Sequence, residues 1–180
     1  MGPVDPKEQG QKRQDELYAL TVSQFGASLT RLVRAYEADE EKRRDLSQEI
    51  HFQVWRSLAA FDERCSLRTW VFRVAHNTAA SYVAKERRTS TRLTTLEEME
   101  PPSGDLNQEM KTHQSRQLER LAILIQQLKP LDRQVIIFYL EELDARSIAE
   151  ITGLSATSVA MKIHRIKRIL GQQFQEAPSS

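Results

Sequence analysis

Apolar residues recur every three or four positions along most of this chain, the spacing that places them on one face of an α-helix. The first such stretch covers residues 14–36, the second about 45–61, and a third begins at Leu67. Two more lie further along, one ending at Lys129 and one starting at Asp132. With six glycines and six prolines among 180 residues, the chain is also short of turn formers. The pattern predicts an all-α fold.

The periodicity breaks between residues 89 and 112. This segment is rich in Ser and Thr, then acidic, and then contains Pro101, Pro102 and Gly104. Such a composition is too polar and turn-rich to bury a core. We therefore expect a flexible linker at 89–112 between two small helical domains, residues 14–88 and 113–175.

Residues 144–168 have the pattern of a helix-turn-helix. The small Ala149 lets a second helix cross closely, Gly153 ends the first helix where a positive φ is needed, and Ser155 is a natural N-cap. The residues of the second helix predicted to face inward are Val159, Ile163, Ile166 and Leu170.

The other face of that second helix is polar at its start and basic afterwards. No Asp or Glu occurs between Ile151 and Gln175. A polar helix start with unopposed positive charge is what a major-groove recognition helix requires. The alternative is an ordinary helical hairpin with a solvated basic face, but the turn, the cap and the one-sided charge together favour DNA binding. The candidate contacts are Thr157, Ser158, Met161, Lys162, Arg165 and Arg168.

The helix predicted at 45–61 has a second distinctive face. Its inner face would hold Leu46, Ile50, Val54, Leu58 and Phe61. Its outer face would hold Asp45, Gln48, Glu49, Phe52 and Arg56, with Trp55 at the margin. An exposed phenylalanine with a polar rim is typical of a protein-docking hot spot. The alternative is that the first helix or the linker covers Phe52.

The helix that begins at Leu67 mixes aromatic and basic side chains. Its core stripe is predicted to be Leu67, Val71, Val74 and Thr78, which leaves Trp70 and Phe72 off the stripe. Aromatic residues interleaved with Arg and Asn can stack on unpaired bases while neutralising phosphates. Trp70 is expected to pack structurally, whereas Arg73, Asn77 and the basic end of the helix are candidate contacts.

Composition narrows the functional classes. The four histidines are scattered without metal-ligand spacing, and there is no glycine-rich phosphate loop or nucleophile elbow, so we expect no enzyme, metal or cofactor. The single cysteine, Cys65, fits a reducing compartment. No apolar run approaches membrane-helix length and no signal-peptide core is present, which indicates a cytoplasmic protein without a membrane span.

Together these residues resemble an extracytoplasmic-function (ECF) sigma factor, the minimal two-domain sigma subunit of bacterial RNA polymerase. The stretches that carry the resemblance are DLSQEI from Asp45 with VWR from Val54, LRTWVFRVAHN from Leu67, and residues 131–170. The rival interpretation is a stand-alone helix-turn-helix regulator, which would not need the face around Phe52.

The resemblance implies promoter recognition and melting rather than chemistry. The partners implied are promoter DNA, core RNA polymerase and, in many family members, an anti-sigma protein. The polymerase's clamp helices would dock on Asp45, Gln48, Glu49, Phe52 and Arg56. The minus-ten element would contact Arg64, Ser66, Arg73, Asn77, Ser81, Lys85 and Arg88, with loop 61–66 capturing a flipped base. The helix-turn-helix would recognise the minus-thirty-five element.

Two departures from the family pattern stand out. Lys42, Arg43 and Arg44 precede Asp45 where the family often has acidic residues, which bears on the strength of core binding. Ala160 stands where the recognition helix of the family usually carries a lysine. Without that contact, DNA recognition would depend more on Ser158, Lys162 and Arg165.

Overall fold

The computed structural model describes residues 6–93 and 113–176, and these two ranges contain only helices and their connections. The helices are α1 (Pro6–Tyr36), α2 (Glu40–Leu58), α3 (Leu67–Leu93), α4 (His113–Gln127), α5 (Pro130–Leu140), α6 (Ala145–Thr152) and α7 (Ala156–Glu176). The all-α prediction is confirmed. Within the described ranges, no helix combines the length and the apolarity needed to cross a bilayer.

Helix α2 begins earlier than the hydrophobic pattern predicts. Asp39 caps it, because its carboxylate accepts a 2.9 Å hydrogen bond from the backbone N–H of Lys42. The acidic residues that follow suit the positive end of the helix dipole. The charged stretch 37–44 lies between the two apolar stretches and so was expected to connect two helices, but it is mostly helical. Its basic residues make ion pairs, Lys42 with Glu86 at 2.9 Å and Arg44 with Glu40 at 3.0 Å.

Two other helix ends also differ from the prediction. Helix α1 begins at Pro6, eight residues before the apolar stretch predicted at 14–36. Helix α3 continues to Leu93, past the predicted boundary at 88, since no glycine or proline interrupts it. The rest of the predicted linker, 94–112, lies outside the described residues.

Helices α1 to α3 form the first domain. The predicted inner face of α2 is correct, because Leu46, Ile50, Val54 and Leu58 are all buried, as is Phe61. Each such side chain stabilises the fold by about 1.5–3 kcal/mol. Leu20 has the helical spacing of the apolar stretch at 14–36, which predicts an inward position, and this prediction is wrong because Leu20 is exposed. The buried apolar residues of α1 begin at Phe25.

Helices α4 to α7 form the second domain and contain the predicted helix-turn-helix. Asp144 caps α6 through the N–H of Ser147 at 2.7 Å, and Gly153 ends it with a φ of 74°. That left-handed conformation favours glycine. Ser155 caps α7 through the N–H of Ser158 at 3.1 Å. The apolar stretch that ends at Lys129 predicts inward positions for both Leu118 and Ile125, and Ile125 is buried in α4 but Leu118 is exposed.

The two domains pack against each other through aromatic side chains. Phe138 of α5 is fully buried, with its ring centroid 6.5 Å from that of Phe72 and 5.5 Å from that of His76, both on α3. Phe72 was predicted to lie off the core stripe, and this is wrong because it is fully buried between Phe25 of α1 and Phe138 of α5, with ring centroids 6.1 and 6.5 Å away.

An ion pair reinforces the same contact. Arg31 of α1 donates from Nε and Nη2 to the carboxylate of Glu141, at 2.8 and 2.7 Å, and Nη2 also lies 2.8 Å from Ser28 Oγ. Only 4% of the Glu141 side chain is exposed, against 56% of Arg31. Gln126 of α4 adds a 2.7 Å hydrogen bond to the backbone carbonyl of Arg34. The two domains are thus in direct contact, and we call this arrangement the closed form.

Candidate protein and nucleic-acid interfaces

The outer face of α2 presents an aromatic ring to solvent. Phe52 is 51% exposed, so the alternative in which α1 covers it is wrong. The Arg56 guanidinium lies 5.9 Å from the centre of the Phe52 ring. The polar members of this face are exposed as well, namely Asp45, Gln48, Glu49 and Arg56. The face therefore has an apolar centre and a charged rim.

This face is held on a rigid support. The Trp55 indole nitrogen donates to Asp15 of α1 at 2.9 Å, and Gln14 donates to the Trp55 carbonyl at 2.8 Å. The Phe52 and Trp55 ring centroids are 6.4 Å apart. Because α1 and α2 are locked together here, a partner that binds Phe52 meets an ordered surface.

The loop at 61–66 connects α2 to α3. Phe61 is buried against Trp70, with ring centroids 5.5 Å apart, while Glu63 has a φ of 62°. Arg64 is almost fully exposed and lies 3.0 Å from Asp62. Ser66 accepts a 3.1 Å hydrogen bond from the N–H of Thr69, so its hydroxyl already caps the start of α3. Arg64 is the more accessible of the two predicted contacts.

Helix α3 carries a line of polar side chains beside α2. Arg73, Asn77, Ser81 and Lys85 recur every four residues and so lie along one face. An open groove between α2 and α3 is lined by Asn77, Ser81 and Lys85 on one side and by Asp45 and Glu49 on the other. The structure thus places two predicted sets of contacts side by side. Arg88, the last of the minus-ten set, is exposed one turn further on.

Trp70 has the structural role that was predicted for it. Its indole nitrogen donates to Ser57 Oγ at 3.0 Å, and its ring is only partly exposed. The guanidinium of Arg73 lies 4.8 Å from the centre of the Trp70 ring. A cation held over an aromatic face keeps its charge at a fixed place. Arg73 is therefore an ordered positive group next to the groove.

The start of α7 presents small polar and apolar groups. Thr157, Met161 and Arg168 are exposed, whereas Ser158 is half-buried and accepts a 2.8 Å hydrogen bond from the Ser155 hydroxyl. Ala160, at the position of the family's lysine, is also exposed. The accessible chemistry at this end of the helix is a hydroxyl, a thioether and a methyl group.

Two predicted contacts on α7 are engaged within the protein. Lys162 Nζ lies 2.7 Å from Asp132 Oδ1, and Arg165 Nη2 lies 2.6 Å from Asp132 Oδ2. The positive charge on this face was predicted to be unopposed, and this is wrong for these two residues because the Asp132 carboxylate at the start of α5 contacts both. Sequence reasoning missed this role of Asp132, whose only signal was an acidic residue two positions after the helix-starting Pro130.

The contact between the domains contains a buried histidine. Burial lowers the pKa of His76 to about 4 and raises the pKa of Tyr36, and the two side chains share a hydrogen bond. His76 is therefore neutral at physiological pH. In the described ranges, no cluster of three or more His, Cys, Asp or Glu side chains could hold a metal ion.

Two family models match this chain. The model described as Sigma-70 region 2 matches residues 21–89, and the model described as Sigma-70, region 4 matches residues 118–170. The first match covers α2, loop 61–66 and most of α3, and the second covers the helix-turn-helix. Together they include every residue of the predicted contact sets.

Relatives that are named as RNA polymerase sigma factors match most of this chain. The chain is 26% identical to the ECF RNA polymerase sigma-E factor of Haemophilus influenzae, over 96% of this chain and 93% of that protein. It is 27% identical to the RNA polymerase sigma-H factor of Pseudomonas aeruginosa, over 87% of this chain and 78% of that protein.

Solved structures share the fold. CnrH, in complex with the cytosolic domain of CnrY, superposes with a TM-score of 0.66 at 19% identity, covering 95% of this chain and 96% of CnrH. The sigma factor RpoE of Bartonella quintana, in complex with the anti-sigma factor NepR, gives a TM-score of 0.61 at 15% identity, covering 87% of this chain and 97% of that one.

Proposed function

Because this chain belongs to the extracytoplasmic-function sigma factors, with sigma-70 regions 2 and 4 in that order, we propose that its two domains divide promoter recognition between them. As a sigma factor, the protein binds core RNA polymerase and promoter DNA. It directs initiation as a binding subunit, with neither a reaction nor a cofactor of its own. Since its partner is the cytoplasmic polymerase, it acts in the cytoplasm.

The first domain docks on the polymerase through the outer face of α2. The observation that carries this assignment is the half-exposed Phe52 ring, surrounded by Glu49, Asp45, Gln48 and Arg56. An aromatic anchor within a polar rim is the usual composition of an interface hot spot. The proposed partner surface is the pair of clamp helices of the polymerase's large subunit.

The same domain opens the minus-ten element. Arg73, Asn77, Ser81 and Lys85 form one line along α3, continued by Arg88, and Arg64 and Ser66 lie at its start. Arg and Lys neutralise phosphates, while Asn and Ser can contact unpaired base edges. An unstacked base that gains a stacking partner is stabilised by about 1–3 kcal/mol. Loop 61–66 is the proposed place for that base.

The second domain recognises the minus-thirty-five element through α7. Thr157, Ser158 and Met161 lie at the end of the helix that enters the major groove, and Lys162, Arg165 and Arg168 supply positive charge further along. The exposed methyl and thioether groups at Ala160 and Met161 suit apolar contacts such as a thymine methyl.

The two domains must separate before both elements are bound. Elements centred near minus ten and minus thirty-five are about 25 base pairs apart, or roughly 85 Å of B-form duplex. A compact chain of this length has a radius of gyration of about 16 Å. The closed arrangement cannot span that distance, so the contacts of Phe138 and Glu141 break on the promoter.

An anti-sigma protein is a further proposed partner. Of the two solved structures described above, the sigma factor RpoE is in a complex with the anti-sigma factor NepR, and CnrH is in a complex with the cytosolic domain of CnrY. The closed arrangement of this chain is a form that such a protein could hold away from the promoter.

Co-purification with core polymerase tests the docking assignment. Phe52→Ala and Glu49→Lys should each weaken core binding by about 30-fold, the effect of removing a hot spot worth roughly 2 kcal/mol. The matched controls are Val22→Ala and Glu16→Lys, which change exposed residues of α1 in the same way and should leave core binding intact.

The same experiment distinguishes the sigma-factor function from the rival function, a stand-alone helix-turn-helix regulator. A stand-alone regulator would bind its DNA site without polymerase and would be indifferent to Phe52→Ala. Core binding that survives both Phe52→Ala and Glu49→Lys refutes the proposed docking face.

A further inference from the structure

A carboxylate from another helix holds two basic residues of the recognition helix. Asp132 lies in the first turn of α5, with only 11% of its side chain exposed, and contacts Lys162 and Arg165 with separate oxygens at 2.7 and 2.6 Å. Lys162 and Arg165 are three residues apart and so lie on the same face of α7. The three groups form one cluster in which a single negative charge lies between two positive charges.

We propose that Asp132 is a specificity-determining positioning residue, which orients the Arg165 guanidinium for contact with the minus-thirty-five element. This proposal rests on the assignment of α7 as the helix that recognises that element. It adds a residue from outside the helix-turn-helix to the determinants of promoter choice.

The geometry of Arg165 supports this role. A guanidinium has five N–H donors in a rigid plane. Of the guanidinium nitrogens of Arg165, only Nη2 donates to Asp132. Half of the Arg165 side chain, 51%, remains exposed. Asp132 thus fixes one nitrogen of the guanidinium, while the other N–H donors make no contact with Asp132. A side chain already ordered in this way loses less rotamer freedom when it contacts a base.

Lys162 has a different part in the cluster. Its side chain is only 25% exposed, and its ammonium lies against the Asp132 carboxylate. Lys162 therefore mainly compensates the negative charge of Asp132. With Lys162 and Arg165 both present, the cluster keeps a net charge of plus one and does not repel phosphates. Asp132 can thus orient Arg165 without presenting an uncompensated negative charge to DNA.

The alternative role for Asp132 predicts the opposite result. If the carboxylate only offset positive charge, Asp132→Asn would strengthen binding to every DNA sequence by the same factor. If Asp132 orients Arg165, the same substitution strengthens non-specific binding but weakens discrimination. The ratio of specific to non-specific affinity therefore distinguishes the two roles.

The experiment uses holoenzyme reconstituted from the full chain and core polymerase. Its affinity is measured for a promoter duplex and for the same duplex with a scrambled minus-thirty-five element, between 50 and 200 mM salt. For Asp132→Asn, the ratio of the two affinities should fall by about fivefold or more, the loss of one specific base contact. Non-specific affinity should hold or rise, with a salt dependence that is steeper by about one unit of slope.

Two further variants show where the effect acts. In an Arg165→Ala background, Asp132→Asn should cause no further fall in the ratio, because Asp132 acts through Arg165. Glu150→Gln removes the same charge from an exposed position on α6 and should leave the ratio unchanged. An unchanged ratio in Asp132→Asn, or an equal fall in both backgrounds, overturns the proposal.

A measurement on the wild-type chain covers the case in which Asp132→Asn fails to fold. The Nε–H of Arg165 should be more ordered in NMR relaxation than that of Arg168, for which the described part of the chain shows no ion pair. Equal mobility of the two groups refutes the positioning role. A wild-type holoenzyme that does not distinguish the scrambled element refutes the assignment of α7 instead.

Discussion

Arg31→Ala should release the second domain from the first. The guanidinium makes the two hydrogen bonds to Glu141 that cross between α1 and the end of α5. Without Arg31, the Glu141 carboxylate would remain buried with no cation beside it, so the closed form should lose stability relative to an open form.

The size of the effect follows from the burial of the pair. Hydrogen bonds between charged groups contribute roughly 1.5–3 kcal/mol when well buried. Glu141 is 4% exposed but Arg31 is 56% exposed, so water screens one side of the pair. A discounted value of about 1–2 kcal/mol is appropriate, which shifts the equilibrium between the closed and open forms by roughly 5- to 30-fold.

Energy transfer between two fluorophores measures this equilibrium directly. With Cys65→Ser as the background, labels at Ala59 and Glu150 report on the two domains, since both positions are exposed. Arg31→Ala should lower the transfer efficiency. It should also raise promoter affinity of the holoenzyme by up to the same factor, because opening is required for binding.

Two controls accompany this prediction. Arg13→Ala removes an exposed ion pair with Glu63 inside the first domain, at 2.8 Å, and should change neither quantity. Adding Glu141→Gln to Arg31→Ala removes the buried charge and should restore much of the closed form. If Arg31→Ala behaves like Arg13→Ala in both assays, the ion pair does not hold the domains together.

Two further predictions concern stability. Because the pKa of His76 is lowered to about 4, the unfolded chain takes up a proton below pH 6.5 while the folded chain does not, so stability is lost as pH falls from 6.5 toward 4. Between pH 7 and 5.5, the free energy of unfolding should therefore fall by about 1 kcal/mol more in the wild type than in His76→Gln, as measured by denaturant titration. Gly153→Ala places a side chain at a φ of 74° and should cost about 1 kcal/mol, whereas Gly171→Ala within α7 should stabilise by about 0.5–1 kcal/mol. Thermal unfolding midpoints that move the same way in both variants would contradict this account of Gly153.

The sequence predicted what depends on local periodicity and capping. The inner face of α2, the positive φ at Gly153 and the cap at Ser155 all follow from residue type and spacing, and the structure has each of them. The exposure of Phe52 was predictable in the same way, because the inner face of that helix was already fully occupied by aliphatic residues.

The sequence could not show which distant segments contact each other. Asp132 and Arg165 are separated by 33 positions, and no pattern in either helix indicates that they meet. Phe72 was predicted to lie off the core stripe because periodicity along α3 shows neither Phe25 nor Phe138, which pack on its ring. The Arg31–Glu141 pair, 110 positions apart, was missed for the same reason.

Transcription in vitro shows directly whether this chain gives core polymerase promoter recognition. Core polymerase, with and without this chain, is incubated with genomic fragments from the same organism, and the transcripts are mapped. We expect discrete start sites only when the chain is present. These start sites should be lost with Phe52→Ala and when either the minus-ten or the minus-thirty-five element is scrambled. Sequence-specific DNA binding without polymerase, together with no start site that depends on the chain, would contradict this expectation.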